Sequence, residues 1–183
     1  MNTETKNLAM TALSGFAVCL ILGLIFFGAN IFSFHHSHAV VVLLNGFYGA
    51  VFYSVLKYRN RKEQILTAFV ILILDLIVHG KGMSSVLLLR DILFIAALLG
   101  AVYCYKIFIN KYKALPLFVR SLALPLFFGV FNILATIILI IIFNPGEMKI
   151  NTALFLNANY AAIVGLGLGL GFDLYEKLKP KIV

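Results

Sequence analysis

Asp75, Arg90 and Asp91 are the residues of this chain that packing alone explains least. Each sits a few positions inside an apolar stretch, where a charge is costly and usually has a task. A short Gly/Ser turn separates the two stretches, with Asp75 about five residues before it and Arg90 about five after. At ~1.5 Å per residue the two stand at similar depth in a helical hairpin and can pair. His79 follows Asp75 by four positions and shares its helix face. An Arg held by one carboxylate still presents donors to a ligand, and Asp91 adds a second acid beside a single Arg, leaving the cluster short of a cation. Such a set suits a small polar or anionic solute anchored by Arg90, or a cation on Asp91. Asn45, Asn157 and Asn159 fall at the same level on other stretches and are expected as orienting hydrogen-bond partners. The plainer reading is that Asp75 and Arg90 form a structural ion pair, and that the Asn side chains join helices at ~1 kcal/mol each.

His35, His36 and His38, with His79 in the next connection, are all 4 histidines of the chain. Imidazoles suit zinc, copper or nickel, and Asp75 could orient His79 from behind. The same residues also read as a polar cap at a membrane surface or as groups titrating near neutral pH. No cofactor is expected.

The elements that position these residues follow from composition. With 62% hydrophobic and only 12% charged residues among 183, the chain has too little polar surface to coat a soluble globule. Its apolar stretches are continuous runs of Leu, Ile, Val and Phe, which favours helices over an outer-membrane barrel. The expected fold is an all-α integral membrane protein, a single polytopic domain over 1–183, with spans near 8–32, 38–56, 64–79, 85–105, 118–143 and 152–174. The first span is longer than a signal-peptide core and lacks a small-residue cleavage site, so it is expected to be retained. Lys6, the run from Lys57 to Lys62, Lys106, Lys111, Lys113, Arg120, Lys177, Lys179 and Lys181 fall on one side of this topology, against Lys81 and Lys149 on the other. Both termini are therefore expected in the cytoplasm. The net charge of +8 is assigned to topology and to anionic headgroups of the bilayer, and no nucleic-acid partner is expected. The polar set then lies in the outer part of the bundle as a cavity open to the exterior, whereas the inner halves read as nearly pure hydrocarbon plus small residues.

Small residues recur at i+4: Thr11, Gly15, Cys19 and Gly23 in the first span, Gly46, Ala50 and Ser54 in the second, Ala96, Gly100 and Cys104 in the fourth, and two overlapping pairs, Gly165 with Gly169 and Gly167 with Gly171, in the sixth. Such faces let helices approach closely, and one left open to lipid on the first or sixth span would dock a protein partner or a second copy. Pro125 is expected to kink the fifth span. Cys19 and Cys104 read as small buried residues rather than a disulfide.

No Ser/His/Asp or Cys/His set falls at a common depth and the acids form no paired metal motif, so a non-enzymatic role is expected. Two classes remain. The first is a membrane-embedded solute-binding or transport subunit, and the size and six-span layout resemble, by architecture, the substrate-binding subunits of energy-coupling-factor vitamin transporters. That resemblance implies a partner that supplies energy. The second is a non-catalytic scaffold, assembly or sensor component of a larger complex, and the third-span hairpin, with its Asp and following Gly-Met, is similar to the rod-shape protein MreD.

Overall fold

The computed structural model of the protein describes residues 2–27, 37–79, 85–143 and 150–179. These form six helices: α1 (Thr3–Phe27), α2 (Ser37–Tyr58), α3 (Arg61–His79), α4 (Ser85–Lys111), α5 (Leu117–Phe143) and α6 (Ile150–Leu178), with no strand among the described residues. Several helices run past the apolar stretches into polar sequence, because capping there satisfies the terminal backbone groups. The Asn2 side chain accepts from the Glu4 N–H at 3.3 Å and opens α1. Asn60 and Glu63 exchange reciprocal side chain to backbone bonds of 3.2 and 3.1 Å at the head of α3. The end of α2 is closed from outside itself: Gln64 Nε2 donates to the carbonyls of Leu56 and Arg59, and Lys106 Nζ donates to that of Leu56.

Five helices close a ring, α1 on α2, α2 on α4, α4 on α5, α5 on α6 and α6 on α1, with α2 also meeting α6 across it. Helix α3 lies outside, packed on α2 and α4. The core joins Tyr53, Leu98, Val102, Tyr105, Leu124, Phe128, Leu168 and Phe172, all buried.

The glycines of α6 explain why it is held so closely on two sides. A Cβ at Gly165 or Gly169 would lie 2.5 Å from Pro125 Cα or 2.6 Å from the Ser121 carbonyl oxygen, both on α5. A Cβ at Gly167 or Gly171 would lie 2.6 Å from Cys19 Cα or 2.5 Å from the Ser14 carbonyl oxygen, both on α1. Ser14 Oγ then donates to the Gly171 carbonyl at 2.6 Å. Gly15 and Gly46 are occupied in the same way, by Phe172 and Cys19. At these positions the glycine faces of α1 and α6 are filled within the chain. Among the described residues both cysteines are free, Cys19 buried and Cys104 half-buried.

Among the described residues three helices are long and apolar enough to cross a bilayer, over Thr3–Phe26, Leu88–Lys111 and Leu117–Ile142. Their outward residues include Leu13, Ile21, Ile25, Ile107, Leu126, Val130 and Ile141, an apolar surface far beyond the patches a water-soluble monomer exposes. A membrane protein fits these faces.

Candidate functional site

Charged and polar side chains gather at two levels. The level read from the sequence draws on α2, α3 and α4. Asn45 is half-buried on α2 and Asp75 is buried on α3. Asp75 stands close enough to Tyr48 of α2 for its charge to act on the phenol. On α4, Arg90 donates from both Nε and Nη2 to Asp91 Oδ1, each at 3.1 Å. The other carboxylate oxygen, Asp91 Oδ2, is buried and has no hydrogen-bond partner among the described residues.

This differs from the expected hairpin pair. Among the described residues the carboxylate that Arg90 bonds is its chain neighbour Asp91, not Asp75. The long Arg90 side chain folds back to its chain neighbour, whereas a partner across the hairpin depends on how α3 sits. Packed from outside onto α2 and α4, α3 brings Asp75 to Tyr48. Asn159 is exposed on α6, which packs on α1, α2 and α5. His35 and His36 lie outside the described residues, as do the side chains of His38, His79 and Asn157. Among the described residues no group of His, Cys, Asp and Glu converges as a metal site.

The second level lies at the end of the bundle where α2 and α4 finish and α5 starts, and the sequence reading missed it. Asp173 of α6 is 2% exposed; Arg120 Nη2 donates to its Oδ1 and Ser121 Oγ donates to its Oδ2 at 2.8 Å. Tyr53 stacks on Phe172 with ring centroids 3.9 Å apart, and Tyr105 packs beside both. Nearer the rim, Lys57 pairs with Glu176, Tyr175 donates to Asn7 at 2.9 Å, and Arg59 donates to Thr5 at 3.1 Å. The helix halves expected as hydrocarbon thus hold a buried ion pair and a polar lattice tying α1, α2, α5 and α6. A signal was present: with 7 acidic residues in the whole chain, Asp173 and Glu176 fall together at its most basic end.

The two levels differ in how far their hydrogen-bonding capacity is used. At the basic end each named acid meets a cation, Arg120 on Asp173 and Lys57 on Glu176, so the attraction is spent on joining helices. At the Arg90 level the Arg90–Asp91 pair keeps, among the described residues, one carboxylate oxygen and several guanidinium N–H groups with unspent hydrogen-bonding capacity. That residue can hold a molecule offering both a donor and an acceptor. Against known proteins, no family model, no curated protein and no solved structure matches this chain.

Proposed function

We propose that the protein is a multi-pass component of a cell (inner) membrane in which all six helices cross the bilayer and both termini lie in the cytoplasm. In this reading it is a solute-binding or transport subunit that works with a partner protein and performs no catalysis of its own. The orientation is supported by the concentration of Lys and Arg at the end carrying Lys57, Arg59, Lys106, Lys113, Arg120 and Lys177. The binding role is supported by one observation above the rest: Asp91 Oδ2, buried and without a hydrogen-bond partner among the described residues, beside an Arg90 whose side chain is 35% exposed. A small polar solute would donate to Asp91 and accept from Arg90, with Asp75 and Asn45 nearby and apolar helices as walls. Fitted to this orientation, the site opens to the outer face.

The test is the thermal stability of the purified protein against vitamins, amino acids, nucleobases and divalent metals, for wild type, Arg90→Gln and Asp91→Asn. Stabilisation by one compound that both substitutions abolish is the expected result. Stabilisation that survives Arg90→Gln unchanged removes Arg90 from the site. A panel without response at millimolar concentration favours the second reading, a membrane scaffold or assembly component. That reading draws on the placement of α3, whose Ile65, Leu66, Phe69, Ile73 and Ile77 are exposed along a helix held from one side only.

A further inference from the structure

At the basic end two buried donors lack an acceptor. Tyr105 is 0% exposed, yet its hydroxyl has no hydrogen-bond partner among the described residues, and the same holds for Arg120 Nε. Both belong to one cluster. Arg120 spends Nη2 on Asp173, Ser121 occupies the other oxygen of that carboxylate, and the Tyr105 phenol is close enough to Arg120 and Asp173 for both charges to act on it. The stacked rings of Tyr53 and Phe172 wall the cluster on the side of α2 and α6. A buried N–H or O–H without a partner is costly, and two of them beside the same ion pair point to a shared acceptor.

We propose that Tyr105 and Arg120 form an internal hydration site, in which a buried water accepts from the Tyr105 hydroxyl and from Arg120 Nε. The acceptor is neutral because the guanidinium charge is already cancelled by Asp173, and an anion would bring a second, uncompensated charge into a low-dielectric interior. Water also suits the site in kind, since buried waters sit where several polar groups would otherwise go unsatisfied. Such a site stands independently of the solute site on α4.

Radiolytic hydroxyl-radical footprinting of the full chain in nanodiscs reads this directly, because radicals generated on a bound water oxidise the side chain beside it. Tyr105 is expected to be oxidised despite its burial, alongside the exposed Tyr112 as the control. In parallel, Tyr105→Phe is expected to lower the melting temperature by roughly 2–4 °C, the shift for loss of one buried hydrogen bond in a chain of this size. An unmodified Tyr105 beside a modified Tyr112 overturns the proposal. So does a melting temperature that Tyr105→Phe leaves unchanged or raises, since deleting a hydroxyl that has no acceptor relieves a cost. A wild-type stability that rises with chloride over gluconate, and no longer does so in Tyr105→Phe, would identify the acceptor as an anion and overturn water.

Discussion

The Arg120–Asp173 pair predicts an unequal response to removing either partner. Arg120→Gln leaves Asp173, 2% exposed, as a charge whose described partner is the Ser121 hydroxyl alone. An uncompensated buried charge of this kind costs about 3–5 kcal/mol. Asp173→Asn instead leaves Arg120, whose side chain is 19% exposed and starts in the first turns of α5, from where it can swing its guanidinium toward water. The Asn retains a bond to Ser121, so the loss falls to about 1–2 kcal/mol. The double variant replaces a charged pair by two amides able to bond each other, and it is expected to recover at least ~1 kcal/mol relative to Arg120→Gln. Reversible unfolding in mixed micelles measures the three free energies. Asp173→Asn as damaging as Arg120→Gln, or a double variant equal to the sum of the singles, would refute the asymmetry and with it the account of Asp173 as a desolvated acid held by one cation.

The rim pair Lys57–Glu176, 24% and 35% exposed, should by contrast give a double-mutant coupling below about 1 kcal/mol that fades further at high salt. Gly165→Ala and Gly169→Ala push a Cβ against the α5 backbone and should each cost about 1–3 kcal/mol of stability, whereas Gly129→Ala, with no atom within 4 Å, should stabilise by a few tenths to about 1 kcal/mol. For topology, in a background lacking Cys19 and Cys104, a cysteine at Ser37 should react with an impermeant maleimide added outside intact cells and one at Asn60 should not; the reverse pattern would invert the orientation.

The positions of the helices were legible because apolar runs of this length have few ways to satisfy their backbone away from water, and each expected span overlaps one observed helix. Their ends were less so. The Asn60 and Glu63 capping pair extends α3 back through residues that read as a loop of charges, although the spacing of the two is itself a start signal. Among site residues, the pattern singled out Asp75, Arg90 and Asp91 by their depth, but hairpin geometry alone did not determine which acid Arg90 takes. Arg120 was counted only for orientation. Its partner is 53 residues away, and the one local cue, two acids close together at a basic end, does not say which cation each takes. The glycines of α6 were visible as a periodic face, while their division between α1 and α5 depends on which helices flank α6, a property of topology rather than of spacing.

That division carries a consequence for how the molecule is made. Ser14 meets Gly171 across 157 residues, and Asn7 meets Tyr175 across 168. Helix α1 can pack on α2 early in synthesis, but its surface around Ser14, Gly15 and Cys19 waits for the last helix to emerge. Until then the growing chain holds an open slot between α1 and α5, shaped for a glycine-lined helix and unsuited to lipid. The ring closes only when α6 packs on both α5 and α1, so chains stopped short of α6 would be left with that slot unfilled, as targets for membrane quality control.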